Sequence, residues 1–257
     1  MKLHYRLITL SISLCVLLAS NVSALHADST DETRLQELVD HFDEKGVDIK
    51  PLIDDPRFSL VENITRKFTR SAERRIESLD DYKRVIGFEG KRNAISNFYS
   101  EYHEELQSAE ETYDIPKEVI IGVIAIESDF GKNRGSYNPF NVYVSMYVED
   151  HRTKWALAQL EELLEFAENK NMDVLEMKSS YAGAMSYAQF IPYSLNRWWV
   201  GDELYHMPDN INSVANYLAH FKEVTGSLEE SVLRYNPSSL YQGAVLALAE
   251  EAEAIIN

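Results

Sequence analysis

A single cysteine, Cys15, stands in the 257-residue chain, inside a stretch that reads as a removable leader. A mature chain without thiols has no disulfide staple, no cysteine nucleophile and no thiolate metal ligand. Its stability must come from a packed core. Basic residues are the next shortage: 25 Lys and Arg stand against 42 Asp and Glu, a formal net charge of −17. Phosphate recognition needs clustered Lys and Arg, so this balance argues against nucleic acid and against an anionic membrane surface. The seven histidines are scattered, with no HExxH or similar metal spacing. The Gly-Lys pair in GKNRGSYNPFN lacks the glycine spacing and the following Ser or Thr of a phosphate loop. Internal repeats, low-complexity tracts and convincing linkers are missing as well.

What is present begins with a leader pattern over 1–24. Lys2 and Arg6 form a basic start, LITLSISLCVLLAS an apolar middle, and Val22-Ser23-Ala24 a cleavage site after Ala24. The apolar part is short for a membrane span. Leu14 directly before Cys15 spoils a lipoprotein site. The reading is an exported soluble protein with no stable membrane insertion after cleavage; an uncleaved signal anchor is the alternative. Without the leader, 23 basic residues face 42 acidic ones, a formal charge of −19. The remaining length suits one large domain, taken as 25–257 with a catalytic core at about 91–250. Fifteen Tyr and three Trp suit core packing, and also stacking on a neutral glycan.

The periodicity predicts a predominantly α-helical chain, α+β at most. Helices are expected over 31–44, 91–113, 116–129, 153–169, 210–224 and 239–256. Residues 47–58 read as a loop or short helix, 60–75 as charged with sparse apolar positions, and the piece up to Gly90 as irregular. SSYAGAMSYAQF packs small residues around aromatics, as a close backbone crossing would.

VIIGVIAIESDFG, residues 119–131, carries its first charge at Glu127. On a helix Glu127 shares a face with Ile120, Val123 and Ile124. Either the helix has reached water there, or the carboxyl is held where it can keep a proton. A general acid near neutral pH needs a shift of about two units, or about 2.7 kcal/mol. The helix C-terminus supplies only about 0.3–1 kcal/mol, so burial must supply the rest. Asp129 points to another side of the helix and does not face Glu127 across a substrate, as paired glycosidase carboxylates do. Gln189 lies between Ala188 and Phe190, either as a satisfied buried amide or as a donor and acceptor for a substrate amide. RYNPSSLYQGAV sets Tyr235, Asn236 and Tyr241 around a turn that opens a helix.

Four ordered motifs, IPKEVIIGVIAIESDFG, SSYAGAMSYAQFIPYS, NSVANYL and RYNPSSLYQGAV, together resemble the membrane-bound lytic murein transglycosylase B family, glycoside hydrolase family 103. The resemblance covers roughly 33–250. It implies a lysozyme-like fold and cleavage of the MurNAc–GlcNAc β-1,4 bond of peptidoglycan glycan strands in the periplasm, with no cofactor. Glu127 then matches the single catalytic acid/base, and the product is a 1,6-anhydro ring. The resemblance also implies substrate-binding roles for Ser180, Gln189, Tyr235, Asn236, Tyr241 and Tyr82. Arg152 is similar to one arginine of the family's Arg pair; Thr153 stands at the other position.

The chain departs from the pattern in places. Ser128-Asp129 replaces a usual Thr-Arg, and Ser186 a usual glycine. GDELYHMPDNIN is too short, and too poor in alternating Asp and Asn, for the calcium loop of some members, so no calcium is expected. Two other readings keep the fold: a muramidase that adds water to the same bond, and a weakly active or non-catalytic glycan-binding scaffold.

Overall fold

The computed structural model describes residues 30–69 and 76–256. The leader expected over 1–24 lies outside them. The first helix, α1, runs over 30–44 and buries Leu38, Val39 and Phe42. Then come α2 (Lys50–Ile53), α3 (Ile64–Thr69), α4 (Leu79–Val85), α5 (Phe88–Tyr113) and α6 (Lys117–Ser128). They are followed by α7 (Pro139–Val148), α8 (Thr153–Asn169), a 3-10 turn at Val174–Glu176, α9 (Pro192–Trp198), α10 (Met207–Thr225), α11 (Leu228–Tyr235) and α12 (Ser239–Ile256). Among the described residues, extended pairing is limited to isolated bridges, at Tyr137–Ser179, Ser179–Met185 and Met185–Phe190. The fold is helical.

The expected irregular piece up to Gly90 is corrected. It holds α4 and the start of α5, and the charged stretch before it holds α3. Helix α4 begins at a local signal: Ser78 accepts from the Asp81 amide and donates to its carboxylate, so donors at the helix start find partners. Helix α7 was not expected either. All ten of its residues are buried, so it has no polar face to reveal a period. Its start is nevertheless capped, because Asn138 accepts from the Asn141 amide ahead of Pro139.

Helix α6 lies in the middle of the core, with Ile120, Ile121, Val123, Ile124 and Ala125 fully buried. It packs against α12 and α5, while α10 packs on α5 and α11, and α7 on α8. The α6–α12 approach is closest at Gly122. A Cβ there would lie 2.7 Å from the backbone oxygen of Val245. No side chain larger than hydrogen fits that crossing without moving a helix. Gly122→Val is therefore expected to cost about 1–3 kcal/mol by overpacking. Thermal unfolding checks this, with a lowered midpoint expected; an unchanged midpoint contradicts the crossing.

Candidate active site

The Gly122 crossing sets a register. Glu127 lies five residues beyond Gly122, and Tyr241 four residues before Val245. At about 1.5 Å per residue these steps are about 7.5 and 6 Å along two helices running in opposite directions. The two side chains therefore meet: the Tyr241 hydroxyl donates to Glu127 Oε1 at 2.6 Å. Ile120, Val123 and Ile124 close the face below, as the spacing predicts, but Glu127 itself is half-buried at the rim. The apolar pocket expected around it is completed by tyrosines from α11 and α12 instead of aliphatic side chains.

Tyr241 is only 1% exposed. Burial, and next the charge of Glu127, hold its phenol well above the ordinary tyrosine value. The same two causes raise the phenol of half-buried Tyr235. Both stay protonated near neutral pH, so Tyr241 is a permanent donor to Glu127. Tyr82, buried on α4, lies close enough to Tyr241 for the two to interact electrostatically. Tyr82, Tyr235, Tyr241 and Glu127 thus form one neighbourhood.

The segment 179–191 forms the second part of the site. Its first turn closes on itself: the Ser180 amide donates to Ala184 O at 2.8 Å, and Ser180 Oγ accepts from the Ala184 amide at 3.2 Å. Tyr143, from buried α7, donates to Gly183 O at 3.0 Å. A Cβ on Gly183 would lie 2.2 Å from the Tyr143 ring, so only glycine admits that ring. This is the close crossing expected from the small residues.

Further along, Ser186 and Gln189 both adopt left-handed backbone, at φ 66° and 52°. Such geometry costs energy for non-glycine residues and persists where neighbours hold it. Here the holding point is the Ala188 backbone. Its N–H is accepted by Asn210 Oδ1 at 2.9 Å and by Ser186 Oγ at 3.1 Å, and its carbonyl accepts from the Tyr235 hydroxyl. Gln189 Nε2 donates to Ser186 O at 3.0 Å, leaving the amide oxygen as its acceptor. Ser186 therefore occupies a glycine-type conformation and returns a hydrogen bond that glycine could not make. A cavity of about 160 Å³ adjoins this segment, lined in part by Gln189, Ser194, Arg234 and Tyr235. A larger hollow of about 520 Å³, between Asp80 and Gly90 and against Glu251, touches none of these residues.

Two expected residues stand apart. Arg152 is exposed at the start of α8, with its guanidinium 4.1 Å over the Trp155 ring. Its nearest link to the site is its charge on Tyr143, which holds the Gly183 turn. Asn236 ends α11, and its carbonyl accepts from Ser238 N at 2.8 Å, bending the chain into α12. The second acid, Asp129, is engaged elsewhere. Burial alone would raise its carboxyl, but the Lys132 hydrogen bond and the Lys91 charge outweigh that and hold it below the usual range. In the first turn of α10, Asp209 accepts from the Asp202 and Glu203 amides and pairs with His206.

Sequence reasoning missed Asn210, which is fully buried and makes three hydrogen bonds, to Ala188 N, Leu204 O and His206 O. Asn210→Ala leaves those groups unpaired. The expected cost is about 1–3 kcal/mol, read in denaturant unfolding, together with faster amide exchange at Ala188. Unchanged exchange at Ala188 contradicts the role assigned to Asn210.

Comparison with known proteins agrees with this fold. The family described as "Transglycosylase SLT domain" matches residues 24–228, ending before Tyr235, Asn236 and Tyr241. Membrane-bound lytic murein transglycosylase B of Escherichia coli (strain K12) is 33% identical over 142 residues, which cover 52% of this chain. That match spans 39% of the relative's own length. The crystal structure of soluble lytic transglycosylase SltB1 from Pseudomonas aeruginosa superposes with a TM-score of 0.77 at 23% identity, over 85% of this chain and 97% of that one. SltB3 from Pseudomonas aeruginosa, in complex with NAG-anhNAM-pentapeptide, gives 0.72 at 17% identity, over 88% and 79%.

Proposed function

The chain belongs to the transglycosylase SLT domain family, and from that premise we propose that it is a peptidoglycan lytic transglycosylase with Glu127 as its single acid/base. The observation that carries the reading is the Tyr241–Glu127 hydrogen bond at the end of a buried helix. With Tyr241 donating to Oε1, the exchangeable proton belongs on Oε2. Glu127 delivers it to the glycosidic oxygen between MurNAc and GlcNAc as that bond breaks. The substrate's own N-acetyl group stabilises C1, which takes the place of a second protein carboxylate. Glu127, now a carboxylate, removes the proton from the MurNAc C6 hydroxyl, and that oxygen closes on C1. The ring is 1,6-anhydro-MurNAc, and no water is consumed. Tyr241 supports the second half directly, since a donor to the carboxylate stabilises the charge left after protonation.

The amide oxygen of Gln189 suits the N–H of an N-acetyl group. Ser180, Tyr235 and Tyr82 are assigned to the glycan on the family resemblance and their places around this centre, and Asn236 on the resemblance alone. Arg152 is assigned to an outer part of the glycan or its peptide. The leader pattern over 1–24 puts the protein in the periplasm, where its substrate lies. Among the described residues no helix is long and apolar enough to cross a membrane, and the reading needs no membrane insertion.

Substitution tests the assignment. Glu127→Gln keeps the size and the Tyr241 contact but cannot cycle a proton. Solubilisation of purified sacculi is expected to fall by at least about 10²–10⁴-fold, while sedimentation with sacculi is kept. Full activity in that variant overturns the mechanism. Tyr241→Phe removes a hydrogen bond to a charged group, worth about 1.5–3 kcal/mol. The corresponding loss in turnover is about tenfold to a hundredfold. Wild-type turnover in Tyr241→Phe contradicts the part given to that hydroxyl.

A further inference from the structure

We propose that Lys91 is a positioning residue for Glu127: from a core position on α5 it grips Asp129, and so fixes the left-handed turn that ends α6. The inference rests on the reading of Glu127 as acid/base. Its geometry stands independently of that reading.

The buried stripe of α5 runs Phe88, Lys91, Ile95, Phe98, at spacings of three, four and three. That is the core face of a helix, and position 91 is one where an aliphatic side chain belongs. Lys91 is 7% exposed. An ammonium in such a place is costly unless it is paired. Its Nζ donates to Asp129 Oδ1 at 3.4 Å. Two turns along the same stripe, Phe98 packs against Phe130, with ring centroids 4.8 Å apart. One face of α5 therefore holds two successive residues at the end of α6.

Those two residues need holding. Asp129 and Phe130 have φ of 50° and 59°, and Gly131 follows at 84°. Two adjacent non-glycine residues in the left-handed region are strained and stay there only when their surroundings fix them. Lys132 reaches the other Asp129 oxygen at 3.1 Å from the solvent side, and its hydrogen bond and the Lys91 charge together hold that carboxyl low. The buried partner is Lys91. The turn begins two residues after Glu127, so its looseness passes directly to the carboxyl that Tyr241 holds.

The pair also sets the local charge. Asp129 without a partner would carry an uncompensated like charge two residues along the chain from Glu127, a change that favours the protonated form of a neighbouring carboxyl. Lys91, from α5, and Lys132, after α6, cancel that charge. The phenols of Tyr235 and Tyr241, from α11 and α12, feel the charge of Glu127 and stay neutral near neutral pH.

The test compares Lys91→Met, Lys91→Arg, Asp129→Asn and the Lys91→Met/Asp129→Asn double variant of the mature protein. Kinetics use soluble glycan fragments. Proton affinity is read from the ¹³C-carboxyl titration of Glu127, identified by its loss in Glu127→Gln. Lys91→Met is expected to lower kcat about tenfold with KM within twofold, and to move the titration to higher pH. Lys91→Arg is expected to recover most of kcat. The double variant is expected to return the titration towards wild type. Asp129→Asn is expected to lower kcat and to move the titration to lower pH, because two lysines are left without a partner. Asp129→Asn carries the test alone if Lys91→Met does not fold. Wild-type kcat with an unmoved titration, in whichever of the two variants folds, overturns the proposal. So does a loss in Lys91→Met that Lys91→Arg does not recover while the titration stays in place. If the wild type releases no glycan product, the assigned function fails, and the titrations still decide the clamp.

Discussion

The site depends on how closely α6 and α12 can approach. Gly122 lets the Val245 backbone come to a distance that no Cβ would allow. That contact fixes the register of two buried helices. The register in turn brings the Tyr241 hydroxyl to 2.6 Å from Glu127. The same long apolar run that makes α6 a core helix delivers a carboxylate to its rim. Folding and chemistry thus rest on one crossing.

Around it the backbone is held in costly conformations by polar groups. Asp129 and Phe130 follow Glu127 in left-handed geometry, and Ser186 and Gln189 take it up in the facing segment. Each turn has partners packed beside it: Lys91 and Phe98 for the first, Asn210 and half-buried Tyr235 for the second. Strain of this kind clusters where a side chain must be aimed. The departures from the family pattern fit the same logic. Where the family pattern given above has an arginine, this chain has Asp129, which pairs with Lys91 from α5. Where the family usually has glycine, Ser186 keeps the glycine conformation and adds a hydroxyl that accepts from the Ala188 amide.

Much of this was legible in the sequence. Helices α1, α5, α8, α10 and α12 have apolar residues at helical spacing, because one face is buried and the other is wet, whereas α6 has no exposed residue and shows as a long apolar run that ends in a charge. Helix α7 was illegible for the opposite reason: all its faces are buried, and periodicity cannot report that. Helices α4 and α11 are short and charged, and their signals are local caps at Ser78 and Ser227. Glu127 was legible as the charge that ends an apolar run, and SSYAGAMSYAQF as a crowded crossing. Asn210 and Lys91 were not. A buried Asn or Lys is recognised by the partner that satisfies it, and those partners lie 22 and 38 residues away.

The most direct measurement is mass spectrometry of the muropeptides released when the mature protein is incubated with purified sacculi. A single carboxyl that first gives and then takes a proton, within the substrate, predicts ends of 1,6-anhydro-MurNAc, one water lighter than reducing ends. Reducing ends would mean that water, not the C6 hydroxyl, attacks C1, and would contradict the account. Intact sacculi that sediment with well-folded protein would contradict it too, and would leave a glycan-binding protein on this fold.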